Sequence, residues 1–258
     1  MLRYALLCLF PLLWAAPSSA QVSRSGLLHA HNDYAQPRPL ADAIDHRADF
    51  IEADVFLVDN KLVVAHTRAE IDTSRTLEKL YVAPIAERFA AHKNERISRE
   101  RAYTFSLVID NKDDAEAVLP RLQELLQRHL VLFSYPNNPL AIRVVVSGNR
   151  PKPDRYLDFP SYLFFDGRPS EIYDDETLRH VAMISDNFRN YSRWDGTGTL
   201  PDADRDKLKR IIRRAHDEGK PIRFWGAPDT PNAWKQLRKL GVDIINTDKV
   251  AEARAFLK

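Results

Sequence analysis

The chain has 258 residues, enough for one domain of barrel size or for two small ones. Its hydrophobic fraction of 44% is ordinary for a globular protein, and its formal charge is +2. Because so balanced a charge creates no basic field, we expect no nucleic-acid partner.

The first twenty residues have the pattern of a secretory signal peptide. Arg3 gives a positive start, residues 4–16 are mostly apolar, and Ser18-Ser19-Ala20 supplies small residues before a cleavage site. The apolar run is shorter than the roughly 20 residues of a spanning helix, so we expect cleavage and no stable membrane insertion afterwards. Cys8, the one cysteine, lies in this leader. The mature chain, residues 21–258, is therefore expected to be disulfide-free and secreted or periplasmic.

Short apolar runs alternate along the mature chain with amphipathic stretches of helical period. Core strands are predicted at 26–29, 50–56, 104–109, 142–146, 162–165, 181–184, 222–225 and 242–245. An extra strand is predicted at 61–66, after a turn at Asp59-Asn60. Helices are predicted at 39–44, 84–91, 113–128, 201–218, 231–240 and 250–257.

This alternation predicts a single α/β domain, a (β/α)8 TIM barrel. The strands read as continuous apolar runs, which is typical of parallel strands covered on both faces. A Rossmann-type open sheet is the structural alternative. The first strand lacks the Gly-rich phosphate turn of that fold, which favours the barrel.

Three carboxylates at strand ends form a candidate metal site. Glu52 and Asp54 are two positions apart in one strand, so they face the same side, and Asp110 ends the next core strand. Buried carboxylates are costly unless they are paired or metal-bound, and oxygen ligands of this kind suit Mg²⁺ or Ca²⁺. Salt bridges to buried basic residues are the alternative interpretation. Lys112 can neutralise a phosphate oxygen or pair with these acids.

Three histidines accompany the acidic residues. His29 and His31 share one face of the first strand, and His66 ends the extra strand. Two imidazoles beside a metal can act as general base and general acid, although a single histidine is more often structural. The other histidines fall on helices or before strands and are interpreted as surface or structural residues.

These residues resemble the site of the phospholipase-C-like phosphodiesterase superfamily. That group includes the glycerophosphodiester phosphodiesterases and the spider-venom type of sphingomyelinase D. The matching positions are His31, Glu52-x-Asp54, His66 and Ile109-Asp110-Asn111-Lys112. The order His31-Asn32-Asp33-Tyr34, Pro39-Leu40 and Ile51-Glu52-Ala53-Asp54-Val55 is most similar to the family named after altered inheritance of mitochondria protein 6. Residues 144–149, 224–229 and 245–248 also resemble its strand-end motifs, so the resemblance covers nearly the whole mature chain.

The resemblance implies a secreted, metal-dependent enzyme that cleaves the P–O bond of a glycerophosphodiester or phospholipid. It implies His31 and His66 as catalytic residues, Glu52, Asp54 and Asp110 as metal ligands, and Lys112 as a phosphate contact. Such enzymes usually let a neighbouring substrate hydroxyl attack phosphorus, which gives a cyclic phosphate. The His-Arg-Gly opening of typical glycerophosphodiesterases is absent, and the third ligand is Asp110 rather than glutamate. The preference for one head group is therefore not implied.

Four further residues are candidate substrate contacts: His29, Asn32, Asn149 and Trp225. Alternatively, His29 can hold another residue of the site in place without touching the substrate, and Trp225 can be a core residue.

Two other functions fit parts of the pattern. His29-Ala30-His31 also resembles the opening of amidohydrolase and PHP-type metal hydrolases, but later strand ends offer no further histidines. Tightly bound Zn²⁺ would favour that class, whereas dependence on Mg²⁺ or Ca²⁺ favours a phosphodiesterase. A catalytically inactive ligand-binding barrel is the second alternative, and hydrolysis of a generic phosphodiester tests it.

Overall fold

The computed structural model describes residues 26–100 and 103–257, so the predicted signal peptide at 1–20 lies outside the described residues. Eight parallel strands form a closed ring in the order β1-β2-β4-β5-β6-β7-β8-β9, and β9 pairs again with β1. The strands are β1 Leu27–Ala30, β2 Phe50–Val58, β3 Lys61–Val64, β4 Ser106–Asn111, β5 Arg143–Gly148, β6 Leu163–Gly167, β7 Val181–Asn187, β8 Ile222–Trp225 and β9 Ile244–Thr247. The predicted (β/α)8 barrel is confirmed.

Helices surround the ring and cover its outer face. They are α1 Ala41–Asp45, α2 Ala83–Ala91, α3 Ala115–Arg128, α4 Leu130–Phe133, α5 Asp175–Arg179, α6 Asp202–Asp217, α7 Pro231–Leu240 and α8 Val250–Leu257. Side chains cap several of them; Thr230, for example, accepts a hydrogen bond from the backbone N–H of Ala233 at the start of α7. Across the described ranges, we find no helix with the length and apolarity required to cross a bilayer.

The ninth strand, β3, lies outside the ring and pairs antiparallel with the end of β2. Its pairing begins at Lys61 opposite Val58 and ends at Val64 opposite Val55. Residues Asp59 and Asn60 turn the chain with positive φ angles of 47° and 61°. This hairpin carries the residues after Val64 back to the carboxyl edge of the ring, which brings His66 beside β2.

Two apolar cores hold the barrel together. The larger lies between the strands and the helices, and the smaller fills the inside of the ring. The inner core includes Phe50, Val108, Val145, Met183 and Ile244. Since inward side chains alternate along each strand, the same faces that begin with apolar residues go on to polar ones at the carboxyl edge.

Several element boundaries differ from the sequence-based expectation, and α4 and α5 were not predicted; two of the differences have a clear local cause. Strand β9 begins at Ile244 rather than at 242, because the backbone N–H of Val242 bonds the carbonyl of Leu237 at the end of α7. The carboxylate of Asp243 then accepts the N–H of Ile222 at 2.9 Å. Helix α2 is preceded by a π-helical turn, Glu78–Val82, so the chain is helical from residue 78.

Candidate active site

Three carboxylates meet at the carboxyl edge of β2 and β4. The parallel register of these strands sets Asp54 directly opposite Asp110, and Glu52 lies one inward position below Asp54. Oxygen atoms of Glu52, Asp54 and Asp110 all lie within 4.8 Å of one another. Glu52 is 3% exposed and Asp54 is 1% exposed. The sequence prediction that these acids form one cluster agrees with this geometry.

Basic residues compensate part of the negative charge. Nζ of Lys112 lies 2.9 Å from Oδ2 of Asp54 and also bonds Asp110. Burial and the nearby charge of Glu52 raise the pKa of Asp110, although Lys112 opposes the shift. Burial by itself would raise the pKa of Glu52, but its hydrogen bond with His29 and the charge of Arg223 hold that pKa well below its usual range. Ionisation is thus less favourable for Asp110 than for Glu52.

Two features of the cluster indicate room for a cation. Oδ1 of Asp54 is buried and has no hydrogen-bond partner among the described residues. Gly148 lies on β5 opposite Asn111 of β4 and has a φ of +67°. A Cβ at this position would collide with Oδ1 of Asp110. The absence of a side chain at position 148 leaves space next to Oδ1 of Asp110. A buried, unpartnered oxygen beside two more carboxylates is a donor set that suits a hard divalent cation.

His31 is oriented by an acidic residue that follows the neighbouring strand of the barrel. Its Nδ1 lies 2.8 Å from Oδ1 of Asp248, which follows β9, and its Nε2 lies 3.7 Å from Oε1 of Glu52. Burial lowers the pKa of His31, but the hydrogen bond to Asp248 and the charge of Glu52 outweigh it, so that the pKa is raised. Asp248 holds Nδ1–H, which leaves Nε2 on the side of the carboxylate cluster.

His66 is oriented by a tyrosine. The hydroxyl of Tyr34 donates to Oδ1 of Asn32 at 2.9 Å and therefore accepts from Nδ1 of His66 at 3.0 Å. Oδ2 of Asp54 is 3.2 Å from the same nitrogen. This arrangement places the proton on Nδ1 and leaves Nε2 of His66 for proton transfer.

His29 lies under the cluster and away from the open site. It is 0% exposed, its ring stacks on Phe50, and its Nε2 lies 2.8 Å from Oε2 of Glu52. Burial, and then the charge of Arg223, lower the pKa of His29 to about 4. The prediction that His29 contacts the phosphate is wrong, because this side chain is fully buried and does not line the cavity. The contacts fit the alternative, in which His29 holds Glu52 from within the barrel.

A cavity of about 430 Å³ opens above the cluster and brings the remaining candidates together. Lys112, Asn149 and Trp225 line it along with both histidines and two of the acids. Asn32 does not line this cavity; its side chain donates to Asp248 at 3.3 Å and lines a neighbouring cavity instead. The site can therefore hold an anionic group between Lys112 and the two histidines.

Sequence reasoning missed four residues of the site. Arg223 is 3% exposed and its Nη1 lies 2.9 Å from Oε2 of Glu52. Arg168 lines the cavity and pairs with Asp166 at 3.0 Å. Asp248 and Tyr34 hold the two histidines. The sequence could have indicated Arg223, because it is a charged residue between apolar neighbours in a predicted strand, two positions before Trp225.

Comparison with known proteins identifies similar chains. The family model described as AIM6-like phosphodiesterase domain matches residues 20–152, about half of the chain. The glycerophosphoryl diester phosphodiesterase family model matches residues 221–251. Altered inheritance of mitochondria protein 6 from Eremothecium gossypii is 25% identical over 278 residues, which cover 89% of this chain and 69% of that protein.

Two solved structures share the fold. A glycerophosphodiester phosphodiesterase from Parabacteroides distasonis superposes with a TM-score of 0.55 at 14% identity and covers 91% of this chain and 97% of its own. A phosphodiesterase from Oleispira antarctica, solved with the product sn-glycerol-3-phosphate, gives a TM-score of 0.53 at 14% identity, with coverage of 90% and 96%. At this identity the likeness shows the barrel fold.

Proposed function

The chain belongs to the family of AIM6-like phosphodiesterase domains, and we propose that it is a divalent-metal-dependent phosphoric diester hydrolase. The observation that carries the proposal is the cluster of Glu52, Asp54 and Asp110 next to two histidines whose Nδ1 atoms are both held by partners. The family relationship supports the phosphodiesterase class over the amidohydrolase alternative. Metal dependence and the roles of single residues are our proposal.

Glu52, Asp54 and Asp110 would hold Mg²⁺ or Ca²⁺. The unpartnered Oδ1 of Asp54 and the carboxylate-only donor set fit a hard cation better than they fit Zn²⁺. A cation bound there supplies Lewis-acid polarisation of a phosphate oxygen. Lys112, whose Nζ is shared by Asp54 and Asp110, adds a fixed positive charge on the side of the phosphate.

The two histidines would divide the proton transfers. One Nε2 takes the proton of the attacking hydroxyl, which belongs to water or to the substrate, while the other gives a proton to the departing oxygen. Asp248 fixes the ring of His31, and Tyr34 fixes the ring of His66. Such partners keep each imidazole in the tautomer that presents Nε2, as an orienting acid does in other histidine-dependent sites.

The substrate class follows from the size and charge of the cavity. It holds about 430 Å³ and carries Lys112, Arg168 and Arg223 in its wall, which suits one phosphate with two organic groups. The similar fold of an enzyme solved with sn-glycerol-3-phosphate supports a glycerophosphodiester or a phospholipid-type diester as the substrate. Asn149 and Trp225 would contact its organic part.

Hydrolysis of bis-p-nitrophenyl phosphate tests the proposal. We expect Mg²⁺- or Ca²⁺-dependent release of p-nitrophenol by the wild-type protein and a loss of at least about a hundredfold in His31→Ala and in Asp110→Ala. Circular dichroism checks that both variants are folded. A folded wild-type protein without metal-dependent turnover of this diester, of glycerophosphodiesters or of phospholipids would favour the inactive ligand-binding barrel.

We also propose that the protein is exported. The proposal rests on the leader pattern of residues 1–20 in the sequence. Mass spectrometry of the protein from a periplasmic or culture fraction is expected to find a chain that begins at Gln21. A chain in the cell interior that keeps Met1 would contradict it.

A further inference from the structure

A second cavity lies beside the first one and shares His66 with it. This outer cavity holds about 520 Å³ and is lined by Asn32, Tyr34, Ala35, Gln36, Val64, Ala65, His66, Glu70, Arg75 and Asp248. The first cavity, above the carboxylates, includes His66 in its wall as well. Asp248, in the outer wall, is also the residue that holds His31. The outer cavity therefore borders the imidazole of His66 and the carboxylate that holds His31.

The outer cavity differs chemically from the first. Its wall is mostly apolar and includes Tyr34, Ala35, Val64 and Ala65. The wall of the first cavity instead carries several charges, with Lys112, Arg168 and Arg223 beside Glu52 and Asp110. A group that leaves the first cavity past His66 thus passes from a charged environment to an apolar one.

The charged side chains of the outer cavity are already engaged. Glu70 accepts the backbone N–H of Thr67 at 3.1 Å, and Arg75 donates to the carbonyl oxygen of Tyr34 at 2.7 Å. Asp248 is bonded to His31. Each of these three charged side chains thus already spends part of its hydrogen-bonding capacity on the protein. The remaining surface favours an uncharged, apolar occupant.

We propose that the outer cavity binds an apolar organic group of the phosphodiester, attached to the phosphate oxygen next to His66. The proposal rests on the function proposed above, because it needs the phosphate to lie between the carboxylates and the two histidines. A histidine that exchanges a proton with a phosphate oxygen must lie within about 3 Å of that oxygen. The organic group bonded to this oxygen would extend past His66. The outer cavity is the space on the other side of that histidine. The substrate would then be the diester of an alcohol with a hydrocarbon chain.

The test is a series of glycerol 3-phosphate diesters with methyl, butyl and hexyl alcohols, all at concentrations without micelles. Burial of one methylene group contributes enough to raise kcat/KM about fourfold, so we expect a steady rise from methyl to hexyl in the wild-type protein. Ala35 is exposed in the outer wall, and Ala35→Asn makes that wall polar without touching a histidine. We expect this variant to lower the hexyl-to-methyl ratio several-fold.

The control is Ala203→Asn, at an exposed position of α6 away from both cavities, which is expected to keep the wild-type ratio. Turnover that is independent of chain length would overturn the subsite and leave the proposed function intact. A rising series that Ala35→Asn does not flatten would also overturn it, because the chain would then bind elsewhere. Absence of turnover for every diester would instead remove the proposed function on which the subsite rests.

Discussion

Each end of the barrel interior holds an arginine, fully buried at the carboxyl edge and half-buried at the amino edge, and the two have opposite surroundings. At the carboxyl edge, Arg223 lies between carboxylates, 2.9 Å from Glu52 and 3.3 Å from Asp166. At the amino edge, Arg143 is surrounded by aromatic rings; its guanidinium carbon lies 5.7 Å from the ring centres of Phe50, Tyr135 and Phe164. Among the described residues, no carboxylate pairs with Arg143.

The carboxyl edge is therefore a network of paired charges, whereas the amino edge is closed by packed aromatic rings. Burial lowers the pKa of Arg143, whereas its hydrogen bond to Ser106 and the ring faces replace part of the lost hydration. Arg223 instead holds two buried acids that would otherwise repel each other and the carboxylates above them. We therefore assign chemistry to the carboxyl edge and a structural role to the amino edge.

The largest effect is expected from a histidine at the carboxyl edge. Replacing His66 by alanine removes one proton-transfer group and should lower kcat about 10²–10⁴-fold, since general acid–base catalysis contributes that much. The side chain of His66 is 57% exposed, so stability should change little. Steady-state hydrolysis of a phosphodiester measures the effect, with His129→Ala on the outside of the barrel as control. A loss under tenfold would contradict the role of His66.

The same substitution at both arginines tests the comparison itself. Arg223→Met leaves Glu52 buried without its cation, while Asp166 keeps Arg168, and should cost about 3–5 kcal/mol of unfolding free energy. Arg143→Met removes a half-buried charge without stranding an acid, and a thioether packs well against aromatic rings, so we expect a change within about 1 kcal/mol. Urea unfolding of both variants measures the difference. Equal losses of unfolding free energy would contradict the difference that we infer between the two arginines.

A tyrosine supplies a finer test of the carboxyl edge. Tyr34→Phe removes the hydroxyl that accepts from Nδ1 of His66, so the ring is less well held and kcat should fall about tenfold. Tyr103→Phe is the matched control, because its hydroxyl donates to the carbonyl of Ala48 at 2.9 Å, away from the histidines. We expect Tyr103→Phe to keep kcat. If both variants lose the same activity, Tyr34 does not act through His66.

The smallest expected difference comes from two buried serines. Ser147 donates to Asp166, which keeps Ser185 and Arg168 as partners after Ser147→Ala. Ser106 accepts from Nε of Arg143 at 2.9 Å, so Ser106→Ala strands a buried donor. We expect Ser106→Ala to cost about 1 kcal/mol more than Ser147→Ala in thermal unfolding. A larger loss from Ser147→Ala would mean that the network at the carboxyl edge is the more fragile one.

Local patterns in the sequence predicted most of the fold and the three carboxylates of the site. Strand periodicity places Glu52 and Asp54 on one face, and the alignment of parallel strand ends brings Asp110 beside them. These relations depend only on neighbours in sequence and on the strand order of a barrel. The edge of β9 was less predictable, since its start is set by contacts of Val242 and Asp243 with other elements.

The partners of the histidines could not be predicted in the same way. Asp248 lies 217 positions from His31 and Arg223 lies 171 positions from Glu52, and barrel closure alone brings them together. His29 and His31 look equivalent by alternation, but depth in the barrel separates them. One inward position lower, His29 is sealed against Phe50, whereas His31 reaches the cavity.

The most direct test is titration of metal into protein stripped with a chelator, with phosphodiester turnover as the readout. We predict that turnover is lost on stripping and returns with Mg²⁺ or Ca²⁺ at one ion per chain in the wild-type protein. Asp54→Asn, which alters the acid whose Oδ1 is unpartnered, should recover little of its activity at the same ion concentration. Full turnover by the stripped wild-type protein, or equal recovery by Asp54→Asn, would contradict the assignment of the carboxyl edge as a metal site.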